Sequence, residues 1–391
     1  MPVNPATLSL ESGRWSRAAD STAAATVPWY VYSVLFASTS VILGVLWDIS
    51  WHQTIGRDTF WTPAHLAIYV GGVVAGLTCG WLALRTTFAG SQADRDRAVR
   101  FWGFYAPFGA WVCIWGTFAM LTSAPFDDWW HNTYGLDVKI LSPPHVILAA
   151  GIGAIQVGAM LMVVAWQNRT AGRSLLLQRL FLYSAGLMLL NIATLSTEYI
   201  QRWSMHRSLF YQVSSLVFPF VLVGAARASK ARWPATSVAL VYTAITMVML
   251  WLLPLFHGRP LLGPIYVPLD RFLPPDPPLL LVVPAIAIDL LLRRFGRLSN
   301  IRLAALMAPV FVATFVVVQW PFADFLMTPW ARLVFATDRM AYMVPPVVQG
   351  RWYRLEPADN LMIGLSIAIV LAFLSCWRGL SWGAWMARVQ R

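Results

Sequence analysis

The sequence predicts an all-α, polytopic integral membrane protein of about ten transmembrane helices, and three observations carry that expectation. Charged residues make up 12% of the 391 positions and hydrophobic ones 58%; a water-soluble chain carries roughly twice that charged share. Mean hydropathy is +0.60. The apolar residues also fall in continuous runs of about 20, the length that crosses a bilayer as a helix, whereas barrel strands span ~10 residues and alternate. A soluble enzyme, a disordered chain and a secreted disulfide scaffold are excluded on these grounds.

Taken in order, the runs cover roughly 27–48, 63–86, 101–123, 144–166, 180–199, 209–228, 234–256, 277–293, 302–323 and 359–377. The first follows 26 fairly polar residues, which read as a cytoplasmic segment (1–26) ahead of a span rather than a cleaved leader. An even number of spans puts both termini on one side. Nineteen of the 29 Lys and Arg residues fall on that side, among them Arg85, Arg95, Arg97, Arg100, Arg169, Arg227, Arg293 and Arg378. The positive-inside rule makes it cytoplasmic. The net charge of +12 therefore reads as topology and contact with the lipid bilayer, with no nucleic-acid partner. Connections on the opposite side, about 124–143, 257–276 and 324–358, are long and rich in Trp, Pro and Asp, and loops held on a rigid scaffold are where binding groups tend to sit. Cys79, Cys113 and Cys376 are widely spaced in apolar runs and read as buried small hydrophobes.

The chain has six histidines, and four belong to one repeated arrangement. The first copy, WDISWHQTIGRDTFWTPAH, supplies Asp48, His52 and His65; the second, FDDWWHNTYGLDVKILSPPH, supplies Asp127, His131 and His145, with Asp128 an alternative to Asp127. Carboxylate and first histidine are four apart in both copies, which places them on one helix face about 5–6 Å apart at Cβ. Each second histidine opens the next span after a Thr-Pro or Ser-Pro-Pro start, the pattern of an N-cap followed by Pro at the first helical position. A short outer loop then returns it toward its Asp–His pair. A lone histidine at a membrane boundary is ordinarily interfacial or hydrogen-bonded, but a duplicated set of ionisable groups in costly surroundings reads as a site. Two histidines and one carboxylate with open positions form a mononuclear metal set, commonest for Fe(II) oxygenases, and imidazole also suits copper and zinc.

The run from His52 to His65, HQTIGRDTFWTPAH, resembles the C subunit of the copper membrane monooxygenases, the family of particulate methane monooxygenase and ammonia monooxygenase. That resemblance implies a copper site at Asp48, His52 and His65 and a second metal site at Asp127, His131 and His145. At the second site this chain has Asp where the family has Asn, which leaves the metal there open between copper, iron and zinc. Residues 268–289, 319–329 and 338–346 resemble stretches of the family's A subunit. The implied organisation is a C-subunit-like domain over 27–175 fused to an A-subunit-like domain over 176–391. The resemblance further implies O₂-dependent insertion of oxygen into a small apolar substrate such as a short hydrocarbon or ammonia, one or two copper ions, and quinol as reductant. It also implies a homotrimer, a separately encoded periplasmic cupredoxin-type subunit, and residence in the bacterial inner membrane with the metal sites toward the periplasm.

Arg57 and Asp58 lie between the ligands of the first site as candidates to support its imidazoles, or as a loop ion pair. Glu198, at the outer end of span five, reads as a proton relay, a supporting group, or an interfacial charge paired with Arg202. Asp289 is expected in a local salt link with Arg293 or Arg294, and His206 and His257 are expected to be solvated. Two other functions fit the same residues: a non-catalytic membrane copper-binding or uptake protein, and a mononuclear non-haem iron oxygenase.

Overall fold

The structure is a computed structural model and describes residues 27–56, 59–135, 142–170, 174–200, 204–261, 269–326, 328–335 and 355–391. The N-terminal segment 1–26 lies outside the described residues. Among the described residues the architecture is all-α apart from one hairpin and an isolated bridge between His257 and Arg271: α1 (Trp29–Thr54), α2 (Pro63–Phe88), a short α3 (Gln92–Asp96), β1 (Val99–Phe101) and β2 (Phe104–Ala106), then α4 (Phe108–Tyr134), α5 (Pro143–Arg169) and α6 (Leu175–Leu195). The second half continues with α7 (Ser208–Ala228), α8 (Pro234–Leu252) and its 3₁₀ extension (Leu253–Leu255), α9 (Val282–Phe295), α10 (Asn300–Leu326), α11 (Pro329–Phe335) and α12 (Ala358–Met386).

Eight of the described helices, α1, α2, α5–α8, α10 and α12, are long and apolar enough to cross a membrane. Two of the ten expected spans depart from that set. The run at 101–123 does not begin as helix: its first residues form the two-residue hairpin β1–β2, turning at Trp102 (φ 47) and Gly103 (φ 85), the positive-φ pair such a turn demands. Helix α4 starts only after Pro107 and runs to Tyr134, carrying Pro125, Asp127, Asp128 and His131 toward its C-terminal end. The run at 277–293 begins as non-helical chain and turns helical only at Val282. Pro274, Pro275, Pro277 and Pro278 forbid helix there, and α9 has 14 residues, a rise of about 21 Å.

Buried backbone without helical bonds needs partners for its N–H groups, and side chains supply them here. The N–H of Leu279 donates to Tyr242 Oη (2.9 Å), that of Leu280 to Gln319 Oε1 (3.0 Å) and that of Leu273 to Thr54 Oγ1 (2.8 Å).

Helices α6 and α7 are the most enclosed spans and α12 the least. Large apolar side chains such as Phe36, Leu77, Phe118, Val317 and Met362 point outward, a surface suited to lipid rather than water. Helix contacts rest on small residues that let backbones approach. On α4 and α5 these are reciprocal: a Cβ at Gly116 would lie 2.7 Å from Gly151 O, and one at Gly151 would lie 2.7 Å from Gly116 O. Both halves of the chain share one buried core.

Asp289 makes a different contact from the expected salt link. It is buried and accepts from the N–H groups of Ala235 and Thr236 and from the Thr236 hydroxyl, capping the start of α8. The three cysteines are free and buried, as expected.

Candidate metal centres

Asp48 and His52 occupy the last two turns of α1, and His65 the first turn of α2. The i, i+4 spacing brings His52 Nε2 to 3.7 Å from Asp48 Oδ2, and the return of the chain brings His65 Nε2 to 3.3 Å from Asp48 Oδ1. The second copy repeats this on α4 and α5. His131 Nε2 lies 3.3 Å from Asp127 Oδ2, and His145 Nε2 3.5 Å from Asp127 Oδ1. In each group one ligand atom from every residue falls within 4.8 Å of the other two. All six predicted ligands are therefore brought together, three and three. Asp128 is not in the second group; its carboxylate accepts from Asn132 Nδ2.

Tautomers follow from what the far ring nitrogens touch. His65 Nδ1 is 3.1 Å from the carbonyl of Thr59, and His131 Nδ1 is 3.3 Å from the carbonyl of Gly135. A carbonyl only accepts, so Nδ1 carries the hydrogen, and in the neutral ring Nε2 is the lone pair that faces the carboxylate. Asp48 Oδ1, buried beside His65, has no hydrogen-bond donor among the described residues. A lone pair facing an anionic oxygen at this range is relieved by a proton or a metal ion between them, and imidazole with carboxylate is a donor set that transition metals accept. The residues present fit a metal ion. Anchoring the second imidazole nitrogen on a backbone carbonyl is the support ligating histidines usually have.

The helix ends place these groups. Thr62 and Ser142 hold the N-cap positions with extended backbone, as their Thr-Pro and Ser-Pro-Pro sequences predict, but neither side chain makes a capping bond. Pro144 supplies no N–H at the second position of α5, and the cap carbonyls instead accept from Leu66 and Val146. At the other side, α1 and α4 stop at Gly56 (φ 80) and Gly135 (φ 89). Each glycine lies four residues after the first histidine, within a shared His-x-Thr-x-Gly. Sequence reasoning passed over this glycine, although both copies displayed it.

The two groups lie at the same end of the bundle. Gly44 of α1 packs on Ala64 and Ile68 near the start of α2, and Met120 of α4 packs on Gly72 one turn further along. A segment of the second half closes on the first group. Ser50 Oγ donates to the Leu273 carbonyl, Leu273 N–H donates to Thr54 Oγ1, Leu261 N–H donates to the Ile55 carbonyl (2.9 Å), and Phe272 packs on Trp51.

Of the remaining candidates, Arg57 and Asp58 lie outside the described residues. Glu198 is half-buried in the turn after α6 and belongs to neither group. His257 is exposed, as expected. His206 is not: it is 4% exposed, with Nε2 3.0 Å from Asp324 Oδ1 and its ring edge-on to Trp320. Its loop precedes α7 directly and is covered by the end of α10, a packing that sequence spacing does not show.

Fold and site together define a multi-pass, all-α membrane protein with two Asp/His/His groups able to hold metal. Searches against family models, curated proteins and solved structures return no match.

Proposed function

We propose that this protein is a copper-dependent membrane monooxygenase, or a subunit of one, acting on a small apolar substrate such as a short hydrocarbon or ammonia. The observation that carries the reading is the convergence, twice, of two imidazoles and one carboxylate within 4.8 Å. The likeness of HQTIGRDTFWTPAH to the copper membrane monooxygenases supplies the metal and the reaction.

In this reading Asp48, His52 and His65 hold one copper ion and Asp127, His131 and His145 a second metal. Copper when bound supplies the redox chemistry by which one atom of O₂ enters the substrate and the other becomes water. The chain's own residues orient and balance that chemistry. The carboxylates of Asp48 and Asp127 offset the ion's charge, and the Thr59 and Gly135 carbonyls fix His65 and His131 with Nε2 inward. Three protein ligands leave coordination positions for small molecules, as catalytic sites require. Asp127, where the resembled family has Asn, adds a negative charge that favours a more highly charged ion, so iron or zinc also suits the second group. Ten crossings, with α4 and α9 completing the eight, would put both termini and the arginine-rich end in the cytoplasm and the metal groups toward the periplasm of a bacterial inner membrane. Quinol as reductant, a cupredoxin-type partner subunit and a trimeric assembly belong to the same proposal.

The test is elemental analysis and electron paramagnetic resonance of the purified protein, followed by O₂ uptake with a quinol and a panel of short alkanes and ammonia. Close to two metal ions per chain, copper signals, and substrate-dependent uptake are expected, with metal lost in the combined His52→Ala and His131→Ala variant. Metal content unchanged in that variant overturns the site assignment. Metal-loaded protein inert across the panel replaces the oxygenase with a copper carrier.

A further inference from the structure

At the end of the bundle away from the metal groups, the chain builds a basic pocket. The distance between them is set by α2, whose 26 residues rise about 39 Å, enough to cross the ~30 Å hydrocarbon core. Beyond α2, Ser91 caps α3 in a reciprocal capping box with Asp94, and the Ser91 hydroxyl and N–H hold the Asp94 carboxyl below the usual carboxylate range. Arg95 on α3 donates to the Thr87 carbonyl (3.0 Å), Tyr105 N–H donates to Thr87 Oγ1 (2.8 Å), and Trp111 Nε1 donates to the Val99 carbonyl (2.9 Å). These bonds tie α3 and the β1–β2 hairpin to the ends of α2 and α4. The residues after α12 reach the same end, where Asn168 Nδ2 donates to the Val389 carbonyl (2.9 Å).

Between them is an open cleft of about 490 Å³ lined by Arg95, Arg100 and Arg391, with Asp96 the one acidic side chain and Tyr105 at the wall. Arg100 stacks over the Tyr105 ring, which holds the guanidinium on the hairpin. Three guanidiniums against the Asp96 carboxylate and the α-carboxylate of Arg391 still leave a surplus of positive charge, and guanidinium forks match phosphate oxygens in paired hydrogen bonds.

The aromatic residues around the hairpin fix the depth of this pocket. Trp102 at the turn is 79% exposed, Phe88 is 74% exposed, and Phe101, Phe104 and Trp115 are also exposed. Phe101, Trp102 and Trp115 touch one another as a cluster. Aromatic clusters of this kind sit at the headgroup level of a bilayer. A basic pocket at that level meets lipid phosphates, and such pockets between spanning helices take anionic headgroups.

We infer that the cleft lined by Arg95, Arg100 and Arg391 is a binding site for the phosphate headgroup of an anionic phospholipid. The site does not depend on either metal group or on the proposed oxygenase activity.

The experiment uses the full chain purified in a neutral detergent. Native mass spectrometry and thermal stability are measured with phosphatidylglycerol, with phosphatidylcholine, and with inorganic phosphate alone. Phosphatidylglycerol is expected to co-purify with the chain and to raise its melting temperature, while phosphatidylcholine and millimolar phosphate do neither. Arg100→Gln with Arg391→Gln, both at exposed positions, is expected to weaken phosphatidylglycerol binding about tenfold with the lipid-free melting temperature kept. Equal binding of phosphatidylcholine, an equal effect of phosphate alone, or unchanged lipid retention in the double variant each overturns the assignment. If the double variant fails to fold, wild-type competition between the two lipids still decides it, because a headgroup-blind result refutes the site.

Discussion

Replacing Thr54 by Val tests whether the second half of the chain holds the first metal group in shape. Thr54 is 2% exposed. Its hydroxyl donates to the Ser50 carbonyl (2.7 Å) and accepts from the Leu273 N–H (2.8 Å). Valine keeps the shape and removes both bonds. The donor bond is a small loss, because the Ser50 carbonyl remains inside a helix. The acceptor bond matters more, because Leu273 lies in a segment whose prolines leave few other ways to satisfy its N–H. An orphaned, partly buried N–H costs about 1–2 kcal/mol, the lower part of the usual range. If all of that is felt at the α1 end carrying His52, affinity at the first group falls by about 5- to 30-fold at 1.4 kcal/mol per decade. The second group, on α4 and α5, shares none of these bonds and is expected to be unchanged. Titration of the apo-protein with copper against a competing chelator, with the groups told apart by paramagnetic resonance, measures both affinities. Thr54→Ser, which keeps the hydroxyl, is the control and should behave as wild type. Equal weakening of both groups, or none at either with the same loss of stability, refutes the reasoning.

Asp127→Asn is expected to weaken metal binding at the second group and to change its spectrum, whereas Asp128→Asn leaves both as they are, because only Asp127 faces the histidines; metal analysis of the two variants decides. Gly135 has φ 89 and ψ −178, a region open essentially to glycine, so Gly135→Ala costs about 1–3 kcal/mol. It should also loosen His131, whose Nδ1 rests on the Gly135 carbonyl, and the same titration should show the loss confined to the second group. Gly116→Ala should lower the melting temperature through overpacking of about 1–3 kcal/mol, since its Cβ would press on backbone of α5. Gly153→Ala, with open space at its Cβ, should be neutral or slightly stabilising.

Much of the fold was legible because hydropathy reports directly on burial in lipid. The eight spanning helices all fall on runs read from the sequence. The two departures share a cause. In 101–123 and 277–293 the run was apolar enough, but hairpin-forming Trp102-Gly103 and the prolines at 274–278 decide conformation locally. Hydropathy does not carry that information. The six ligands were legible because their spacing is an intrahelical fact for Asp48–His52 and Asp127–His131, and a helix-start fact for His65 and His145. The hydrogen bonds from Ser50 and Thr54 to Leu273, and the pairing of His206 with Asp324, join residues more than a hundred positions apart. Only helix packing creates such contacts, and one sequence carries no trace of it.

The two copies differ in a way that shows what places the ligands. From Gly56 to Pro63 the chain takes seven steps, and from Gly135 to Pro143 it takes eight. The interiors of these loops share little sequence, yet both groups close to the same 4.8 Å limit. What the copies hold in common lies at their edges: the Asp–His pair on the last turns of one helix, a left-handed glycine four residues later, and a proline start that sets the next histidine in the first turn of the following helix. The helix axes are in turn fixed by backbone contacts beside the ligand turns and further along the helices. Gly44 against Ile68 joins α1 to α2, and Gly116 against Gly151 joins α4 to α5. Each group is therefore a property of an antiparallel helix pair. The described part of the first loop adds one contact of its own, the Thr59 carbonyl that meets His65 Nδ1.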